Sequence, residues 1–535
     1  MDEYDYVVVG AGSAGAVVAN RLSADPRNRV LLLEAGPAGH PWTHVPVGYA
    51  KLVSNPAVNW LYSSEPDANT AGRRIPVPRG RMLGGSSALN GLAFVRGQAQ
   101  DFDGWAQMGN AGWSHADVLP YFKRMERYEG GGDDAFRGRD GPLRVTDPQP
   151  VDPLYRALIA AAGEVGIPHN PDYNGARQDG IAMSQATIAS RRRMSTARCY
   201  LDPVRRRPNL RIETGALAER LILDGTRCVG VRYAVGGQSR EALAGCEVVV
   251  SGGSINSPQL LELSGIGQPD RLRDLGIEVC CALPGVGENL RDHYAPRTRW
   301  AIGTRGYSFN DLGRGLGLVR QAIRYAVNGG GMIGMVAAPI RAFVRSREGL
   351  EAPDLLLGWV PMLTEPGPNG PMLSRRSGMT CYAHPMRPES KGSVHVTSAD
   401  PRRAPAIAFN FLSAPVDAAL TARAVRIARS IMTAPAMAPL RVMELAPGAA
   451  AERDDEILDW VRQAAETTYH PVGTCRMGQD GQAVVDARLR VHGIAGLRVA
   501  DASIMPTLTS GNTNAPVIMI GEKAADMILQ DAARP

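Results

Sequence analysis

Four stretches of this 535-residue chain carry residues whose types and spacing could do chemistry. The first is Gly10-Ala11-Gly12-Ser13-Ala14-Gly15, a glycine turn between the apolar run Tyr6-Val7-Val8-Val9 and the helically spaced Ala16, Val17, Ala19 and Leu22. A second apolar run, Val30-Leu31-Leu32-Leu33, stops on Glu34-Ala35-Gly36. Strand, glycine turn, helix, strand and acid in that order form the dinucleotide fingerprint. Gly10 allows the tight turn, Gly12 the approach of a pyrophosphate, and Gly15 the close packing of helix on strand. Ser13 and Ala14 stand where the helix offers unpaired N–H groups to phosphate. Glu34 can accept hydrogen bonds from ribose hydroxyls and would repel a 2′-phosphate, which points to FAD or NAD rather than NADP. The second stretch, Gly80 to Gly91, pairs glycines with serines around Leu83, Gly84, Ser87 and Asn90, a surface suited to a polar cofactor edge. The third holds His470 between Tyr469 and Pro471 in a glycine-rich loop. In the fourth, Asn512-Thr513-Asn514 caps a helix with Pro516 in its first turn. The positive end of that helix suits the N1–C2=O edge of a flavin, where negative charge gathers on reduction.

The elements that must position these residues can be read in outline. A chain of this length exceeds one core and predicts two domains, interleaved. One domain is expected from residues 1–150, 195–298 and 465–535. An antiparallel substrate domain is expected from 299–464, giving an α/β (α+β overall) fold. The buried strand Glu247-Val248-Val249-Val250 runs into Gly252-Gly253, with Ser257 the expected N-cap and Pro258 the first helical position. Pro41 to Pro78 reads as loop over the nucleotide, with Trp60 a stacking partner for adenine. The net charge of +6 is modest, and Arg191–Arg193 and Arg205–Arg207 read as solvated loop ends, not a nucleic-acid surface. Seven cysteines, an odd number without Cys-x-x-Cys spacing, fit reduced thiols in the cytoplasm and no metal site. The first strand begins almost at Met1, leaving no room for a signal peptide. No apolar run reaches the ~18 residues of a membrane span, although peripheral membrane contact stays open.

Together these motifs resemble the glucose–methanol–choline (GMC) oxidoreductases. The resemblance rests on the fingerprint with Glu34-Ala35-Gly36, Gly80 to Asn90 with Phe94 and Gly97, and Gly253-Ser254 through Ser257-Pro258 to Gly267. Tyr469 to Thr474 and Asp501 to Pro516 complete it, in the right order over the whole chain. It implies a Rossmann-type FAD-binding domain and oxidation of an alcohol by hydride transfer to flavin N5. By that resemblance His470 is the active-site histidine that removes the hydroxyl proton, and Asn514 is the second polar residue. Leu83, Gly84, Asn90, Gly91, Leu92, Ala93, Ala218, Asp501 and Ala502 match FAD-contacting positions. Where some members attach flavin through a histidine, this chain has Leu89, so non-covalent FAD is expected. The layout looks closer to sorbose- and alkanol-type dehydrogenases than to choline enzymes. The expected partners are a small alcohol and oxygen or a quinone as acceptor, with the chain a monomer or homodimer. Three alternatives remain: a hydroxynitrile lyase of the same fold whose flavin does not redox-cycle, an NAD-dependent dehydrogenase, which explains only the fingerprint, and a non-catalytic flavin-binding scaffold, which needs no His470–Asn514 pair.

Overall fold

The structure, a computed structural model, describes residues 2–148, 152–365 and 372–533. The expected end of the first segment, residue 150, lies outside the described residues. The strand Asp2–Val9 runs parallel to Val30–Glu34 on one side and to Gln238–Val250 on the other. Leu210–Thr214 adds beyond Val30–Glu34, and Leu497–Val499 pairs with the end of Gln238–Val250, both also parallel. A parallel sheet is covered on both faces, so its strands read as unbroken apolar runs. Val7, Val8, Leu31, Leu32, Val248 and Val249 are accordingly fully buried. The front half of Gln238–Val250 instead pairs antiparallel with Arg227–Val235, through a Gly236-Gly237 turn in which both residues have positive φ. Ala216–Asp224 closes that edge.

The second sheet is antiparallel throughout, in the order Val442–Ala446, Arg297–Ile302, Gly378–Pro385, Leu355–Val360, Ile340–Val344, Gly180–Met183. The helices Pro153–Glu164 and Pro415–Met432 pack on it, with Leu158, Ala428 and Ile431 in its core. The chain is thus α/β, with a parallel Rossmann-type sheet interleaved with an antiparallel one. Both are built from segments far apart in sequence.

One local expectation is corrected. The helix after Val250 spans Gly253–Leu263 and begins before Ser257, so Pro258 lies inside it. Proline has no N–H for the carbonyl four residues back, and the Thr474 hydroxyl donates to that Ser254 oxygen instead, at 2.7 Å. Ser257, freed from capping, donates to Asp501 at 2.6 Å.

Candidate active site

A cavity of about 1000 Å³ is lined by residues of both sheets, at the upper end of the ~300–1,000 Å³ usual for ligand sites. Its lining includes Gly10, Gly12, Ser13, Ala14, Glu34 and Ala35 from the glycine turn and second strand, and also His470, Arg341, Tyr382 and Tyr469. Three helices start at its wall: Gly15–Leu22, Gly253–Leu263 and Asn514–Ala532. None has an N-cap side-chain bond; the Gly253 N–H is taken by Asp501 at 2.8 Å, while the other two helices present backbone N–H groups and a positive dipole end. Two such ends on one cavity suit a ligand that is negative at more than one point, as a dinucleotide is. The expected cap at Asn512-Thr513-Asn514 is therefore corrected. Thr513 occupies the N-cap position without capping.

The glycines do what their positions require. Gly10 has φ +98°, and a Cβ on it would lie 2.5 Å from the Ser251 carbonyl oxygen. A Cβ on Gly15 would lie 1.9 Å from the Gly10 oxygen, whereas Gly12 has open space beside it. Glu34 accepts from the N–H groups of Ala11 (3.1 Å) and Gly36 (2.8 Å), and burial pushes its carboxyl up to about 7 against their pull. Trp60 lines the cavity with its ring stacked on Tyr62, centroids 5.7 Å apart.

Other expected residues divide into lining and support. Asn90, Gly91, Leu92, Ala93, Ala218 and Ala502 line the cavity, as do Leu89 and Thr513. Asp501 lines it too, but its carboxylate is spent on Gly253 N, Ser503 N and the Ser257 hydroxyl. Gly15, Leu83, Gly84 and Ser87 hold the wall from behind. Gly84 N donates to Ala11 O (2.8 Å), Leu83 N to Pro37 O (3.2 Å) and Ser87 Oγ to Gly84 O (2.6 Å). Cys475 is fully buried and its thiol is pushed well above the usual range by that burial, so it is no nucleophile.

The reactive end is an ordered chain of hydrogen bonds. His293 Nε2 lies 2.7 Å from Met386 O, and a carbonyl accepts only, so Nε2 carries the proton. Burial, with His384 and His470 nearby, holds the His293 pKa well below 6.5. The ring is therefore neutral and its Nδ1 is a lone pair. His470 Nδ1 lies 3.0 Å from that atom and 2.9 Å from Thr468 Oγ1, and it must be the donor. This argument assigns the tautomer and leaves His470 Nε2 as an acceptor. Burial first, then His384, Arg79 and Arg341, keep His470 well below its ordinary pKa, so this lone pair is present at neutral pH. Asn512 Nδ2 donates to Nε2 at 2.9 Å. Its Oδ1 accepts from Arg341 Nη1 at 2.7 Å, which fixes the amide orientation.

Asn514, expected as the second polar residue, lines the same cavity as His470. Asn514 is the first residue of its helix, and its Oδ1 accepts from Ser13 Oγ at 2.7 Å, back toward the glycine turn. Asn512, two residues ahead, is the one that meets the imidazole. The loop is pinned by Asp292, which accepts from His470 N (2.9 Å) and from Thr467, and whose carboxyl burial raises to about 6. Tyr469 is held at φ +70°, at a cost of about 1–2 kcal/mol, by bonds to Thr467 and Arg79. His293, His384 and Arg341 carried no local sequence signal.

Sequence models of the GMC oxidoreductase family match residues 4–295 and 388–521. The chain is 42% identical to the mitochondrial choline dehydrogenase of Mus musculus, over 98% of this chain and 89% of that protein. It is 40% identical to the oxygen-dependent choline dehydrogenase of Brucella anthropi, over 98% and 96% respectively. The crystal structure of pyridoxine 4-oxidase from Mesorbium loti superposes with a TM-score of 0.86 at 32% identity, over 98% of each chain. Fold, cavity and relatives together define an FAD-dependent oxidoreductase acting on CH–OH donors. The chain belongs to the GMC oxidoreductase family. The two sequence relatives are named choline dehydrogenases and the structural one a pyridoxine oxidase, whereas the layout of the sequence points to sorbose- and alkanol-type enzymes.

Proposed function

We propose that His470 is the base that removes the alcohol's hydroxyl proton, with Asn512 as its partner. The observation that carries this reading is the directed hydrogen-bond chain from Met386 O through His293 and His470 to Asn512. It leaves one unprotonated nitrogen, His470 Nε2, on the cavity. FAD, when bound, supplies the acceptor for the hydride that leaves the alcohol carbon. The alcohol hydroxyl takes the place of the Asn512 N–H on Nε2 and accepts from Asn512 Nδ2, so that the single Nε2 lone pair faces the hydroxyl proton. Nε2 takes the hydroxyl proton, and the resulting alkoxide character weakens the adjacent C–H bond. His293 accepts the Nδ1–H bond that strengthens as the imidazolium forms. Residues 1–150, 195–298 and 465–535 make the FAD-holding part in this reading, and 299–464 the substrate side, with Gly180–Met183 added to its sheet.

FAD is held non-covalently in this reading, since the lining residue at 89 is leucine. Acid precipitation should release all flavin to the supernatant; flavin left in the pellet contradicts it. The acceptor is oxygen or a quinone, and the chain acts as a monomer or homodimer. Its seven cysteines are all unbridged, in keeping with a cytoplasmic location, although the mouse relative is named mitochondrial. Among the described residues no helix is long and apolar enough to cross a membrane. Peripheral contact has a place to occur at the helix Gly315–Asn328, which exposes Leu316, Val319, Ile323 and Val327. Anaerobic mixing with a panel of alcohols tests the reaction. Bleaching of the flavin supports oxidation, while cyanohydrin cleavage with the flavin left oxidised supports the lyase.

A further inference from the structure

We infer that Arg341 forms a subsite for a carboxylate carried by the alcohol substrate. The inference rests on the oxidation reading above and narrows its substrate class. Arg341 lies on the strand Ile340–Val344, is 1% exposed and lines the cavity. Its Nε donates to Ser184 Oγ (2.9 Å) and its Nη1 to Asn512 Oδ1 (2.7 Å), both neutral groups. Its Nη2 is buried with no hydrogen-bond partner, and among the described residues no carboxylate lies within ion-pair distance of it. Buried charges in folded proteins are paired, because an uncompensated one pays its full desolvation penalty. Arg341 is a cation with two of its nitrogens held by neutral groups, its Cζ 5.8 Å from the centre of the Tyr173 ring, and its third nitrogen without a hydrogen-bond partner.

The sheet shows where that anion would lie. Arg341 pairs in register with Gly358, Gly358 with Tyr382, and Tyr382 with Arg297, so the four form one row on one face. A Cβ on Gly358 would lie 2.2 Å from the Tyr382 ring. Glycine there lets the tyrosine lean over the row toward Arg341. Three carboxylates line the cavity, and none is free to balance Arg341. Glu34 accepts from Ala11 N, Asp501 is engaged by Gly253, Ser257 and Ser503, and Glu466 pairs with Arg297 at 3.0 Å. The uncompensated charge beside His470 is positive. A guanidinium fork with a free Nη2 suits a carboxylate in charge-assisted geometry, and the same charge repels a quaternary ammonium. A single asparagine amide separates the guanidinium from the imidazole, so the carboxylate and the reacting hydroxyl belong to one small molecule.

The test uses the FAD-loaded enzyme and matched pairs: γ-hydroxybutyrate against butanol, and para-(hydroxymethyl)benzoate against para-methylbenzyl alcohol, with choline alongside. Anaerobic flavin bleaching should favour the carboxylate of at least one pair by about 10–100-fold in kcat/KM, and choline should be the poorest. Benzoate, which cannot be oxidised, should bind and perturb the flavin spectrum. Arg341→Gln should abolish the preference and the benzoate binding. Asn512→Ala should slow every alcohol while keeping the carboxylate preference. Wild type showing no carboxylate preference in either pair and no benzoate binding overturns the subsite, whatever the variants do. So does an Arg341→Gln enzyme that slows all alcohols alike with benzoate binding unchanged, since Arg341 would then only orient Asn512. Failure of every alcohol to bleach the flavin would sink the oxidation reading instead, and benzoate binding would still report on Arg341.

Discussion

Two buried histidine sites in this protein have opposite partners and opposite charge. His470 is flanked by His293, Thr468 and Asn512, all neutral, and it is held well below its ordinary pKa. His395 is 4% exposed, with Nδ1 2.7 Å from Glu262 and Nε2 3.0 Å from Glu288. Burial pulls the His395 pKa down, but the bonds to Glu262 and Glu288 outweigh it and raise it. An imidazole with a carboxylate on each nitrogen is a fixed cation that donates twice and accepts nothing. One with neutral partners keeps a lone pair. Burial is common to both, so the partner set decides which histidine can act as a base.

The sharpest break in that comparison is deletion. His470→Ala should slow flavin reduction by alcohol by about 10²–10⁴-fold. His395→Ala should leave that rate within a few-fold while lowering the unfolding midpoint. Stopped-flow reduction beside thermal melts of both variants separates the outcomes. Equal effects of the two substitutions on the rate would erase the distinction.

The next step is to convert one site into the other. His293→Glu sets a carboxylate against His470 Nδ1, as Glu262 is set against His395. The His470 pKa should rise, and below it the base is protonated. The acid limb of the kcat/KM profile should therefore move to higher pH, with a roughly tenfold loss per pH unit on the limb. Wild type should instead stay flat through pH 6.5, where an unperturbed imidazole would titrate, because its own value lies well below that. His293→Asn, which can still donate to Met386 O and accept from His470, should recover part of the rate without moving the limb. A purely structural role for His293 would lower the rate and leave the limb where it was.

This comparison also marks what was legible in the sequence. The glycine turn and Glu34 were readable because one strand–turn–helix–strand unit contains them, and the parallel sheet because fully buried strands are apolar throughout. His470 was found by family position. His293 was not, since it reaches His470 across 177 residues of chain. Arg341 shows itself only through the register of antiparallel strands. Asn512 and Asn514, two positions apart at a helix start, point to nearly opposite sides at about 100° per residue, and the structure puts Asn512 on the imidazole and Asn514 on Ser13. No local pattern says which one the loop will turn toward the imidazole.

The smallest effect is in stability, where the two sites should pull in opposite directions with pH. His395 keeps its proton in the folded state after the unfolded chain has released it at about 6.5. Its contribution is complete below that pH and is lost as pH rises through the raised folded value. Glu288, lowered chiefly by its bond to His395, works at the other end. Its contribution is present above its unfolded value and is lost as pH falls through the depressed one. The trio behaves in reverse to His395. Burial holds His293 and His470 well below 6.5 and His384 down to about 4. The unfolded chain then binds protons that the folded one refuses, and stability falls as pH drops below about 6.5. Each proton contributes at most about 1.4 kcal/mol per pH unit. Urea unfolding with FAD in fixed excess should therefore show the gap between wild type and His395→Gln closing from about pH 6 to pH 9. The gap between wild type and His384→Phe should shift in favour of the variant as pH falls from about 7 to 5. A His395→Gln gap that widens with pH would mean that the imidazole is neutral between its carboxylates, and the two sites would then differ in geometry but not in charge.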